Sequence, residues 1–190
     1  MSKKVLLLGL LCLFCAANVF AGNPVSVKKG SVSVFKTPSR ALLEIDYSTA
    51  KVGKLTFEEY LKNKGNDYVR DWPRESETAA SYFRQQFNKK SKGMKLTTDE
   101  TDVAYKIVIR VKNLDMGDAG SYFVSMAITG FAGKAGGVIM SGSIEVIDLQ
   151  TNKVVCTLYA DDVQGKGNPK DAIRLGNMYK VLATNICKLK

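Results

Sequence analysis

Apolar and polar positions alternate with period two in several stretches of the chain. Over 41–49, Ala41, Leu43, Ile45 and Tyr47 fall on one face, and Leu42, Glu44, Asp46 and Ser48 on the other. That is the pattern of a half-buried strand. Over 104–112, Tyr105, Ile107, Ile109 and Val111 oppose Lys106, Val108, Arg110 and Lys112. Two more runs, near 138–148 and 153–163, flank Leu149-Gln150-Thr151-Asn152 and predict a hairpin. Ser31-Val32-Ser33-Val34-Phe35 alternates too and predicts a short edge strand, ended by Thr37-Pro38-Ser39.

Between the first two long strands the spacing becomes helical. Thr56 and Glu59 make a capping box, and Phe57, Tyr60 and Leu61 share a face. This helix frays near Gly65, and a further short helical piece reaches Trp72. Residues 74–91 predict the clearer helix, with Ala79, Ala80, Phe83 and Phe87 as its apolar stripe. Glu75 and Glu77 near its start and Lys89 and Lys90 near its end suit the helix dipole. Asn168-Pro169 opens a last helix that runs to about Lys188, with Asn168 as cap. Leu175, Met178, Leu182 and Ile186 form its large stripe. Ala172, Gly176, Ala183 and Cys187 form a small stripe, suited to close approach to a sheet.

This order predicts an α+β fold: a mainly antiparallel sheet of four to five strands with two main helices packed on one face. Residues 40–190 form a single globular domain, preceded by a segment at 22–39.

The N-terminus changes the setting. Met1-Ser2-Lys3-Lys4 is a short basic start, Val5 to Ala17 is an apolar run, and Ala21 is a small residue at the exit. Together they predict a secretory signal peptide over residues 1–21, cleaved after Ala21. The run is short for a membrane span. Leu11 and Phe14 precede Cys12 and Cys15, where a lipid-attachment site would need a small residue. The expected location is secreted or periplasmic, and membrane insertion is not expected.

Cleavage takes the formal charge from +10 to +8, since only Lys3 and Lys4 leave. The basic excess suits anionic lipid headgroups or acidic polymers; an exported chain is not expected to bind nucleic acid. The chain has no histidine, which removes Ser-His-Asp and Cys-His catalysis and histidine metal sites. No catalytic, cofactor or metal residues are assigned, and the chain is not expected to be an enzyme.

Two cysteines remain after processing, Cys156 and Cys187. Strand rise places Cys156 roughly 24 Å from the end of its strand. Helix rise places Cys187 roughly 28 Å from the start of the last helix. Similar heights leave both a disulfide and two buried free thiols open. A disulfide needs Cα atoms at roughly 5.5–6 Å, closer than a helix usually stacks on a sheet.

The sheet face turned away from the helices has two readings: a solvated face with salt pairs, or an interaction face carried by Lys106, Val108, Arg110, Lys112, Ile147, Val155 and Tyr159. If the strands at 41–49 and 104–112 are neighbours, Glu44 and Asp46 can pair across to Lys106 and Arg110. The Gly- and Ala-rich stretch 117–140 joins two strands and holds Tyr122, Phe123, Met126, Ile128 and Phe131. Core packing, partner contact and membrane contact are its three readings. Its Gly130 to Gly137 run lacks phosphate-loop spacing. Asp99, Glu100 and Asp102, and Asp161 with Asp162, lack calcium-loop spacing and read as solvated turns.

The strand at 41–49, Ile144-Glu145-Val146-Ile147-Asp148-Leu149 with its Thr151-Asn152-Lys153 turn, and the closing helix carry a resemblance. Their order is similar to periplasmic α/β domains of the TolB amino-terminal type. It also resembles the soluble part of the curli-secretion channel lipoprotein. The resemblance implies a non-catalytic envelope role as a binding or assembly module, partnered by another envelope protein or by itself. The alternative is a binder of anionic envelope polymers or lipid headgroups through the basic sheet face.

Overall fold

The computed structural model describes residues 23–190. The expected signal peptide lies outside the described residues. In chain order the first elements are β1 (Val25–Gly30), α1 (Ser33–Lys36), β2 (Arg40–Asp46), β3 (Lys51–Val52), β4 (Leu55–Thr56) and α2 (Phe57–Lys64). Then follow α3 (Asn66–Lys90), β5 (Lys95–Leu96), β6 (Tyr105–Asp115), α4 (Ala119–Thr129), β7 (Ile139–Asp148), β8 (Lys153–Gln164) and α5 (Asp171–Ile186).

The α+β class holds, but the sheet is larger than expected and mixed. Eight strands join it in the order β1-β8-β7-β6-β2-β5, with β3 beside β6 and β4 beside β3. The β6–β7–β8 meander and β1 are antiparallel, whereas β2 runs parallel to β6 and to β5. The reason is the crossover: α2 and α3 carry the chain back over the sheet before β6 begins, and such a return delivers parallel strands. The added strands β3, β4 and β5 have two residues each, too few for alternation to show.

The N-terminal expectation shifts as well. The edge strand is β1, over 25–30, and 33–36 is helical. Ser31 Oγ accepts the Ser33 N–H at 3.1 Å, starting a turn that the helix continues. The turn lets Val32 and Phe35, three apart, both enter the core.

α2 carries the expected capping box, with Thr56 Oγ1 accepting the Glu59 N–H and Glu59 accepting the Thr56 N–H. α3 is one helix of 25 residues that runs through Pro73, rather than two pieces. Trp72, buried against Tyr47 and Phe57, holds the helix before the proline, and the buried Phe83 and Phe87 hold it after. α5 begins at Asp171, not Asn168: Asn168 Oδ1 accepts the Lys170 N–H and closes a turn just before the helix.

One face of the sheet and the two long helices enclose the core. Ile107, Ile109, Ile144 and Leu158 from the strands meet Phe83, Phe87, Leu175 and Leu182, all fully buried. Each such side chain contributes roughly 1.5–3 kcal/mol through its removal from water. The small stripe of α5 turns to α3 and not to the sheet. A Cβ on Gly176 would stand 2.8 Å from the Tyr82 ring, and Gln86 Nε2 donates to Thr184 Oγ1 at 2.8 Å.

Candidate docking site

The segment 117–140 contains a helix that the sequence reading did not assign. Asp118 caps α4, its Oδ1 accepting the Ser121 N–H at 2.6 Å and its Oδ2 accepting the Ser121 hydroxyl at 2.7 Å. Those two donors, the N–H foremost, hold the Asp118 carboxyl below its ordinary pKa. At the other end Gly130 takes a left-handed conformation, φ 68°, and donates its N–H to Met126, the usual glycine stop. The Ser125 and Thr129 hydroxyls both donate to Phe131 O, folding the chain back.

α4 is anchored at its base alone. Ala119, Tyr122 and Ser125 form the less exposed row, and none of the helix's 11 residues is buried. Gly136 lies against the base with φ 65°, where a Cβ would stand 2.0 Å from Asp118 O. Below it, the buried Arg174 of α5 pins the loops around the helix. Arg174 Nε donates to Met116 O at 3.2 Å, Nη1 to Asn168 O at 2.9 Å and Nη2 to Asp171 Oδ1 at 2.5 Å.

The rest of α4 projects into solvent. Ile128 is 78% exposed, Phe131 68%, Val124 58%, Phe123 57% and Met126 40%. No charged residue occurs between Asp118 and Lys134. A contiguous apolar surface of several hundred Å² is the scale that marks interaction sites on soluble proteins. An exposed helix gains nothing from apolar side chains in water.

The open face of the sheet carries salt pairs at its centre. Lys106 Nζ pairs with Glu44 at 2.9 Å, Arg110 Nη1 with Asp46 at 2.8 Å and Arg110 Nε with Glu145 at 3.1 Å. The Ser48 hydroxyl and N–H, with Arg110, lower the Asp46 pKa, and Glu145, then Asp46, raise that of Arg110. Val108 is 1% exposed beneath these pairs, so it is covered and cannot serve as a contact point. Tyr159 lies beside β1, with Lys28 Nζ 5.1 Å from its ring centroid. Ile147 is half-buried, while Lys112 and Val155 are exposed. Of the seven residues, then, the two central cations are neutralised locally and one is covered.

Cys156 and Cys187 are free thiols. Cys156 faces the core between Gly30 and Val146. Ile186 faces the core, and Cys187 lies about 100° further round the helix, toward α3, with its Sγ 4.0 Å from Phe87 O. Burial raises both thiol pKa values, that of Cys187 to about 11.

The acidic residues do not converge. Asp99 accepts from Arg40 at 2.9 Å and Asp162 accepts from the Ser141 hydroxyl at 3.0 Å. Among the described residues no three His, Cys, Asp or Glu side chains are grouped as metal ligands, and no helix is long and apolar enough to cross a membrane.

No protein-family model and no curated protein matches the chain. Solved structures that it matches include the PelC dodecamer from Paraburkholderia phytofirmans, at 11% identity and TM-score 0.42, over 84% of this chain and 96% of that one. A point variant of the same dodecamer matches at 11% identity and TM-score 0.40, over 87% and 98%. These are PelC structures and not the TolB amino-terminal or curli-lipoprotein domains that the order of elements resembles. A likeness of that level assigns neither family nor function.

Proposed function

We propose that this protein is a non-catalytic docking module of the cell envelope, secreted or periplasmic, that inserts α4 into an apolar groove of another envelope protein. The observation that carries this reading is α4 itself: an uncharged helix, capped at both ends, with five large apolar side chains of its segment exposed. The caps support the helix at both ends. The exposure then leaves its apolar surface for a partner, as in helix-in-groove recognition.

The shape of the surface favours a groove over a second copy. Exposed side chains lie on most sides of the helix, with only the Ala119, Tyr122 and Ser125 row turned inward. A two-fold pairing of α4 with itself would use one side, and a stable interface takes about 800 Å² from each partner. A groove that closes round the helix uses every exposed side. The absence of histidine and the dispersal of the carboxylates support the non-catalytic part of the reading.

The test is a photo-reactive amino acid placed at Val124, at Ile128 or, as control, at Gln85 on exposed α3, in the cells that make the protein. The expected result is one discrete adduct with a different protein from positions 124 and 128, absent at 85 and lost on Phe123→Ser with Phe131→Ser. Equal adducts from all three positions, no protein adduct, or an adduct of twice the chain mass alone would each overturn the reading.

A further inference from the structure

The end of the molecule opposite α4 has another surface altogether. α3 and α5 finish side by side there, and α1 lies across them, with Phe35 O accepting the Met94 N–H at 3.1 Å. Between the three elements is a cavity of about 340 Å³, at the small end of the range of ligand sites. Its floor is apolar, with Phe35 and Ile186 buried beneath it. Its rim carries Lys36, Lys90, Lys92, Lys188 and Lys190, and no acidic side chain lines it.

A cluster of lysines at two helix C-termini has an ordinary explanation, which is to serve the last carbonyls of the helix. Here that work falls to a sixth residue. Lys95 Nζ donates to Asn88 O at 2.8 Å and to Ser91 O at 2.6 Å, at the end of α3. None of the five rim lysines is ion-paired among the described residues. This contrasts with Lys106 and Arg110 on the sheet, whose charges are met by carboxylates. Two helix C-termini contribute about half a negative charge each, well short of five whole positive ones. Like charges gathered round one cavity raise the free energy of the empty site, and an anion relieves it.

We propose that this cavity binds a single-chain amphiphile with a phosphate head, the acyl chain on the Phe35 and Ile186 floor and the head within the lysine rim. Both halves of the ligand follow from the two halves of the site. A free inorganic anion would leave the apolar floor unused, and a neutral chain would leave the rim charges unmet. The rim holds lysine and no arginine, so it recognises charge density and not the planar fork of a carboxylate. The site stands apart from α4, and the proposal does not depend on the docking reading.

Calorimetric titration of the purified protein with dodecyl phosphate below its micelle concentration tests this directly. Inorganic phosphate and dodecyl maltoside are the head-only and tail-only arms. The expected result is binding of one dodecyl phosphate per chain, about tenfold or more tighter than either arm, and weakening as salt rises. Lys36→Gln, Lys90→Gln and Lys188→Gln together should weaken it by a similar factor. The same change at Lys54, Lys112 and Lys153, exposed elsewhere, should leave it intact. Equal affinity for inorganic phosphate, several equivalents bound per chain, or unchanged binding by the rim variant while its circular dichroism remains native would overturn the proposal.

Discussion

The two ends of α5 bring together opposite kinds of unsatisfied surface. At its start, Arg174 holds the base of a helix that exposes apolar side chains and no charge. At its finish, five lysines without carboxylate partners among the described residues surround a small apolar-floored cavity. The 16 residues of α5 separate the ends by about 24 Å, more than two Debye lengths at physiological salt. The sheet between them is covered on one face by the helices and crossed at the centre of the other by ion pairs over Val108. Packing and exposure therefore dominate different parts of the molecule, the middle and the ends.

The strongest way to break this comparison acts on the middle. Phe83→Ala removes a fully buried ring and should cost about 3–5 kcal/mol. Denaturant melts followed by a probe in α4 and by a second beside Lys90 should move together. Separate transitions would mean that the ends belong to distinct folding units. Next comes Arg174→Met, which removes the hydrogen bonds to Met116, Asn168 and Asp171 and should cost about 2–3 kcal/mol. Its signature is local: amide exchange in 117–137 should accelerate, while dodecyl phosphate affinity at the far end stays within twofold.

Smaller effects should separate the ends by pH. The Asp118 pKa is lowered by the cap, so the cap stabilises α4 above the ordinary aspartate pKa of 3.8 and that support is lost as pH falls through the lower, folded value. Amide exchange in α4 should accelerate selectively in acid, and Asp118→Asn should blunt the effect. The Cys187 pKa is raised to about 11 from an ordinary 9. Its contribution is complete below pH 9 and is lost as pH rises through 11, because the unfolded chain releases that proton first. Cys187→Ala should flatten the alkaline fall in stability measured by urea melts. The smallest expected change is in the stability of Phe123→Ser with Phe131→Ser, with the photo-reactive residue at 124 or 128. Both sites are exposed, so it should stay within about 0.5 kcal/mol while the α4 adduct disappears.

Much of the fold was legible because alternation and capping are local. β2, β6, β7 and β8 lie where period-two runs occur, and Thr56 with Glu59 forms the expected box. What was missed is long-range or too brief to show a period. β1 is a strand because β8 has a free edge to pair with. The two-residue strands carry no pattern, and the parallel β2–β6 pairing depends on the path of the crossover. α4 had a local signal, Asp118 three residues before Ser121 and Gly130 as a stop, but apolar residues on every side conceal a helical period. The interaction-face reading failed at Val108 for a related reason. Alternation assigns a side chain to a face and says nothing of the ion pairs that close over it.

By itself the sequence determined the α+β class, the absence of imidazole chemistry and the apolar core stripes. Each follows from residue type and short-range spacing. Only the tertiary structure decided that Cys187 turns to α3, that α4 stands free in solvent, and that five lysines from three separate segments share one cavity. Those facts depend on how distant parts of the chain converge, and convergence is set by packing over the whole core, which no local pattern records.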